Sequence, residues 1–352
     1  MPPVRKRPAA SSSASAGFAA AKRGRNSAAG KESEQAEADV QQALRVYPPL
    51  PDDCRGTAKS AVIGGSGVTV SGEERFSVQT PFGLVVNVSF MDEGRSVLFV
   101  NRHLCTHYDP ATGEVRYAPP HEVNYKSMVW CLHACGVKRV VALSSTGSLR
   151  PMDIPVGSVV MPDDFYMVRP EPISFWPHPA MGTFHVDEEK GQLGRIHFAP
   201  AIKEDKAWVD LRGEVQRMVC PVLTGPAGDK LRLGKGQTRT SWPCTGHAEE
   251  DIEEHPCVYV NTVGPRFETR AEIRAYRDLG GAVVGMTCGY EWTLCSELLM
   301  PYALLSVVDN ACNGLSTHPG GALQEYLDHK QNIGEVTGAL VKALVAGLAS
   351  NK

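Results

Sequence analysis

No run of eighteen or more apolar residues occurs in the chain, which argues against a segment that spans a bilayer. Charge of one sign is not in excess either. A net charge of −3 over 352 residues excludes nucleic acid or an anionic membrane as the main partner of the folded part. The ten cysteines lack the regular spacing of a small disulfide scaffold, and a chain of this length folds without such staples. Reduced thiols in a cytosolic or nuclear compartment are the default. Cys131 and Cys135 stand four apart in a helical pattern and read as small core residues rather than a metal pair. The full G-x-G-x-x-G spacing of a dinucleotide fold is missing, and so is any internal repeat.

What is present changes along the chain. An apolar content of 42% provides for a substantial core. Residues 1–59, however, are dominated by Ala, Ser, Pro, Lys and Arg without apolar periodicity, and read as a disordered basic tail. The clusters Arg5-Lys6-Arg7 and Lys22-Arg23-Gly24-Arg25 fit a split nuclear-import signal. An organellar transit peptide, or a solvated tail with no address, fits the same composition.

Order is expected from Ser60, where Ala61-Val62-Ile63 runs into Gly64-Gly65-Ser66-Gly67-Val68, a strand followed by small residues that offer donors to an anion. Further strands are expected at Leu84–Phe90, Ser96–Val100, Arg139–Leu143, Gly157–Met161, Val258–Thr262, Gly281–Met286 and Tyr302–Val308. Helical periods lie at Val123–Gly136, Thr269–Leu279, Glu291–Leu299 and Ile333–Leu348. This alternation predicts a single α/β domain, three-layered αβα, with a largely parallel or mixed central sheet. Stretches near 181–195 and 225–254 are rich in Gly, Pro and charge and read as surface insertions.

Chemistry gathers at the strand ends. Asn101-Arg102-His103 follows one strand, and an arginine with a histidine suits a cluster of anionic oxygens. The run Ser144-Ser145-Thr146-Gly147-Ser148 follows another, and Met286-Thr287 ends a third. Singly each is an ordinary turn or surface ion pair. Together, donors at several strand ends of one sheet point to an anion site.

The segment Val258-Tyr-Val-Asn-Thr-Val-Gly-Pro-Arg-Phe-Glu-Thr-Arg-Ala-Glu272 resembles the base-recognition turn of the purine nucleoside phosphorylase and methylthioadenosine phosphorylase family. Gly64-Gly65-Ser66-Gly67, Thr80-Pro81-Phe82-Gly83, Arg102-His103, Val123-Asn124-Tyr125, Gly147-Ser148-Leu149 and Gly285-Met286-Thr287 are similar to that family's motifs in order and spacing. The resemblance extends over most of residues 60–352, outside the two insertions. It implies that Ser66, Arg102, His103, Ser144, Ser145 and Thr287 bind phosphate and that Met286 lies under the ribose. By the same resemblance Glu268, Asn310, Ala311, Cys312 and Leu323 contact the nucleoside, with Asn310, Glu268 and His103 the catalytic candidates. A homotrimer with sites near subunit interfaces is implied too. No metal or cofactor enters this scheme, since phosphate is a co-substrate.

Three positions depart from the adenine-specific members, which have a serine where Glu268 stands and aspartates where Asn310 and Cys312 stand. A 6-oxopurine presents N1–H as donor and O6 as acceptor, so Glu268 accepts while the Asn310 amide donates to O6 and accepts a hydrogen bond from N7–H as that proton arrives. Facing adenine, Glu268 would set a buried charge against a lone pair, at a cost on the order of a few kcal/mol. The alternative reading makes Glu268 a surface acid at the start of a helix. Ungapped counting from Asn310 brings Leu323 and Leu327 to the 5′ end of the sugar, while His318 competes for that place. Inosine, guanosine and methylthioinosine therefore stay open. A methylthioadenosine phosphorylase is the nearest alternative, followed by a non-catalytic nucleoside-binding protein and a water-using nucleosidase.

Overall fold

The structure, a computed structural model, describes residues 34–168 apart from 69–71 and 73, short stretches between 173 and 181 and at 199–200, then 205–225 and 257–350. The basic clusters and nearly all of both expected insertions lie outside the described residues. The chain divides into two compact units, residues 1–46 with Asp109–Glu114, and Tyr47–Tyr108 with Val115–Lys352. In the first, residues 34–46 form helix α1, and Gln42 Nε2 donates to the Thr112 carbonyl at 3.4 Å.

Order thus starts before the expected boundary at Ser60. In the second unit Tyr47, Leu50, Cys54 and Ala58 are buried, and backbone hydrogen bonds run from Leu50 N to Ser77 O (2.9 Å) and from Ser77 N to Pro48 O (2.8 Å). These apolar residues are widely spaced and add an irregular edge to the sheet. Periodicity does not register such a segment, because each residue fills a separate gap.

The sheet comprises β1 (Ser60–Gly64), β2 (Arg75–Thr80), β3 (Gly83–Phe90), β4 (Val97–Asn101), β5 (Arg139–Ser148), β6 (Val159–Val160), β7 (Asp164–Met167), β8 (Val258–Asn261), β9 (Gly281–Gly285) and β10 (Tyr302–Ala311). Their order is β2-β3-β4-β1-β5-β9-β8-β7, with β10 against β5 and β6. β1 runs parallel to β4 and β5, and β10 parallel to β5, whereas β9 meets β5 antiparallel. The sheet is mixed. A register shift interrupts the β5–β10 ladder between Val308 and Asn310.

Five helices of this unit are α2 (Tyr125–Ala134), α3 (Lys206–Thr224), α4 (Arg270–Asp278), α5 (Cys288–Glu297) and α6 (Gly321–Ser350). Along β1 successive side chains serve opposite sides, as a pleated strand requires. Ala61 and Ile63 join the core that holds Met128 of α2 and Trp292 of α5, while Val62 joins the core that holds Val215 of α3 and Leu340 of α6. Helices cover both faces, which gives the three layers. By length and composition Ile333–Ser350 would suffice to cross a membrane, but its Val336, Leu340, Val341 and Leu344 are buried in the second core. Its apolar content reflects packing against the sheet.

Local signals fix the helix starts. Asn124 caps α2 by accepting from Ser127 N at 3.0 Å, and Asp205 caps α3 by accepting from Trp208 N at 3.1 Å. Thr269 and Glu272 form a reciprocal capping box at α4. Trp208 is buried and its indole N–H reaches the Tyr302 carbonyl at 2.9 Å, pinning α3 to β10. Trp208→Phe keeps most of the packing and removes that bond, so urea unfolding should show a loss of about 1–2 kcal/mol.

Candidate active site

The turn after β1 and the end of β4 are held together by one side chain. Asn101 Nδ2 donates to the carbonyls of Gly65 (3.3 Å) and Val68 (3.1 Å), and its Oδ1 accepts from His103 N (3.1 Å). Arg102 N adds a bond to Gly64 O at 3.0 Å. This lattice brings Ser66, Arg102 and His103 to one rim of a cleft of about 370 Å³. Ser144, Ser145 and Gly147 of β5, Met286 and Thr287 after β9, and Asp309 and Asn310 of β10 line the rest, with Glu268 and Cys312. Sequence reasoning put the Ser144 to Ser148 run in a loop beyond its strand; it is the continuation of β5 itself.

Arg102 is almost fully buried, and its guanidinium is already engaged. Nε and Nη2 grip Glu291 of α5 at 2.5 and 3.1 Å, and Nη1 donates to Leu143 O at 2.9 Å. The Tyr302 hydroxyl donates to the same carboxylate at 2.7 Å. The fork expected to face an anion therefore faces Glu291, and since Nη2 also donates to Cys288 Sγ at 3.9 Å, one N–H of Nη1 is left for the cleft. Burial alone would weaken the positive charge, but Glu291 outweighs it and holds the pKa of Arg102 well above its ordinary value. The backbone passes close because residue 65 is glycine: any Cβ there would strike Arg102 Nη1.

His103 departs from its expected role as a donor. Its Nδ1 lies 2.7 Å from the Ala118 carbonyl, which only accepts, so Nδ1 carries the proton. Burial, and then the charge of Arg102, lowers its pKa to about 4. The ring is neutral at pH 7 and Nε2 is an acceptor. Tyr117 stacks on it at 4.8 Å and 16°, and its hydroxyl lies 3.3 Å from Ser66 Oγ.

The other half of the cleft is built around Glu268, which is only 6% exposed. It is no helix-start acid, because Thr269 and Glu272 perform that function. Thr262 donates to its carboxylate at 2.6 Å, Asn313 Nδ2 holds its carbonyl at 2.8 Å, and burial raises its pKa. The Asn310 amide donates to Ala311 O at 3.0 Å, which leaves a second N–H and the oxygen available. Gly147 makes room opposite, since a Cβ there would come within 2.9 Å of Cys312 Sγ and 3.3 Å of Asn310 Nδ2.

Two expected contacts fall elsewhere. Ala311 is buried with its N–H on Glu325 (2.8 Å), and Leu323 is 54% exposed; neither lines the cleft. Ungapped counting past Asn310 misplaces Leu323 because α6 begins at Gly321 and turns that side chain outward. His318 pairs with Asp328 at 3.1 Å and is not a cleft residue either. Sequence reasoning missed Glu291 and Asp309. Asp309 was detectable as a lone carboxylate continuing an apolar strand, the usual mark of a functional group. It is 2% exposed, accepts from Ser145 Oγ, and burial pushes its pKa up to about 7.

A 6-oxopurine nucleoside phosphorylase of Pyrococcus furiosus is 33% identical over 262 residues, which is 73% of this chain and 80% of that protein. The chain belongs to the phosphorylase superfamily. It is an enzyme of the purine nucleoside phosphorylase family, as its motifs implied. The family model described as the phosphorylase superfamily matches residues 234–346, which include the Glu268 turn and all of β10. A Methanosarcina acetivorans protein named as a probable S-methyl-5′-thioinosine phosphorylase is 33% identical over 268 residues, 76% of this chain and 81% of that one. The fold matches a double mutant of the adenosine/methylthioadenosine phosphorylase of Schistosoma mansoni, solved with adenine. The TM-score is 0.55 at 21% identity, over 83% of this chain and 92% of that one.

Two outcomes follow from this geometry. Glu291→Gln strips the countercharge from a buried guanidinium and should cost about 3–5 kcal/mol in chemical unfolding. His103 titrates near 6.5 when unfolded and near 4 when folded. The unfolded chain therefore takes up the extra proton first. Stability should fall as pH drops from about 6.5 to about 4, by up to about 3 kcal/mol, and His103→Asn should lack that component in unfolding measured across this range.

Proposed function

We propose that the enzyme cleaves purine nucleosides with inorganic phosphate, giving free purine and ribose 1-phosphate, and that it prefers 6-oxopurines. The observation that carries the preference is the buried Glu268 carboxylate sharing one cleft with Asn310. Glu268 accepts from N1–H of the base, and a guanine 2-amino group adds a second donor to it. The Asn310 amide N–H donates to O6, and its oxygen accepts a hydrogen bond from N7–H once the leaving purine is protonated there. Two of the relatives named above, from P. furiosus and M. acetivorans, are called 6-oxopurine and methylthioinosine phosphorylases, in line with this reading.

The glycosidic bond breaks ahead of much bonding to phosphate, which leaves oxocarbenium character on the ribose and negative charge on the purine. Phosphate held by the hydroxyls of Ser66 and Thr287 and by the remaining Nη1 N–H of Arg102 is both nucleophile and counter-ion to that cation. Met286 supports the sugar from below; it stays in place because Gly264, at φ +70°, has no Cβ to meet its sulfur. We further propose a homotrimer, because Leu323 and Leu327, 54% and 49% exposed, lie one turn apart on α6 beside the cleft residue Tyr326.

Release of hypoxanthine from inosine and of adenine from methylthioadenosine, each with and without phosphate, tests the function. Phosphate-dependent release with at least tenfold higher kcat/KM for the 6-oxopurine is expected, and equal or better turnover of methylthioadenosine would refute the role given to Glu268. The double change Glu268→Ser with Asn310→Asp should move preference toward 6-aminopurines by about tenfold or more, which is about 1.4 kcal/mol.

A further inference from the structure

The anion end of the cleft holds more acceptors than a simple phosphate pocket should. Among the described residues that line it, Arg102 is the single formal cation, and Glu291 already compensates it. Neutral His103 has its proton on Ala118 O, so Nε2 only accepts. The Ser145 hydroxyl donates to Asp309, so toward a ligand its oxygen only accepts as well. Asp309 is itself a carboxylate, and it lines both the cleft and the small recess behind the Gly64–Val68 turn. A fully deprotonated tetrahedral oxyanion is also acceptor-only. Placed against Ser145, Asp309 and His103 Nε2 it would meet lone pairs with lone pairs, and an unmatched pairing of this kind is costly in a buried site.

We propose that Asp309 makes this site select an oxyanion that keeps a proton at neutral pH, phosphate or arsenate, over one that keeps none, sulfate. The O–H of monohydrogen phosphate donates to the Asp309 carboxylate, while its other oxygens accept from Ser66, Thr287 and the remaining Nη1 N–H of Arg102; Ser144, which donates to the Ser145 carbonyl at 3.2 Å, adds no donor. This rests on the reading of the cleft as a phosphorolysis site and adds the rule by which its anion is chosen. The surroundings keep Asp309 poised for such sharing. Ser145 faces it from β5; from α6 come Glu325, whose negative charge adds to the effect of burial, and Tyr326. His329 Nδ1 lies 3.0 Å from the Asp309 carbonyl, and Lys330 lines the adjoining recess. Since burial brings its pKa to about 7, Asp309 becomes a donor in mildly acid solution and there tolerates sulfate.

Calorimetric binding of phosphate, arsenate and sulfate to the wild-type chain between pH 6 and 8.5 tests the proposal without any variant. At pH 8 sulfate should bind at least tenfold more weakly than phosphate or arsenate, and the gap should narrow as pH falls through about 7. In Asp309→Asn, checked for a native melting transition, the amide donates, so the discrimination at pH 8 should shrink by about tenfold or more. Equal binding of sulfate and phosphate by the wild type at pH 8 overturns the proposal, as does unchanged discrimination in a folded Asp309→Asn. Base release measured in parallel separates the two readings. Absence of phosphate-dependent release counts against phosphorolysis alone, whereas phosphorolysis with indiscriminate anion binding counts against the role of Asp309 alone.

Discussion

The ion pair between Arg102 and Glu291 joins residues 189 positions apart in the sequence and lies where the end of β4, the middle of β5, the first turn of α5 and the start of β10 converge. Such a pair, 1% and 0% exposed, gains little by itself, since desolvation of both charges offsets much of their attraction. Its weight comes from geometry. With the Leu143 carbonyl and the Tyr302 hydroxyl as further partners, only one arrangement of these elements leaves no charge unpaired. The anion rim, the β5 hydroxyls and the β10 side chains inherit their relative positions from that arrangement.

The same pair sets the electrostatics of the cleft. A guanidinium balanced by a carboxylate provides directed N–H groups without a strong net field, and the nearby imidazole is kept neutral. In the proposed function the substrate anion is thus met mainly by hydroxyls and directed dipoles, whose strength depends on being aimed in advance. The helix start at α5 adds little to this, because Tyr259 accepts from Thr287 N and Cys288 N at 3.3 Å and Asn261 accepts from Gly289 N at 2.9 Å. At the other end the logic is reversed, and the buried Glu268 carboxylate, which the proposed function assigns to a donor on the base, has Thr262 as its side-chain partner.

Much of this was legible in the sequence, for reasons that can be stated. β1, the first half of β5 and most of β10 read as apolar runs buried on both faces, and α4 announces itself through its capping box. β2 and β7 went unread because Arg75-Phe-Ser-Val-Gln-Thr80 and Asp164-Phe-Tyr-Met167 mix polar and apolar residues at the sheet's margins. α3 carries Gly213 and Pro221 within its span, which blurs the helical period. In the site, strand-end donors were readable one by one, but their partners were not. Glu291 looks like any acid in the first turn of a helix, and the pairing that gives it meaning is made only by the folded chain. The same is true of His103, whose donor role is reversed by a carbonyl fifteen residues away.

The register shift between Val308 and Asn310 has a further consequence. A regular strand sends neighbouring side chains to opposite faces, so Asp309 and Asn310 would have been divided between cleft and core. The irregularity turns both toward the same cavity, one at its anion end and the other at its base end. The proposed roles of Asp309 and Asn310 therefore assign the two halves of the substrate pair to adjacent positions of one backbone. On those proposed roles, retuning the enzyme for a new base is not a local exchange at the purine end, since a change that relaxes this kink displaces Asp309 as well.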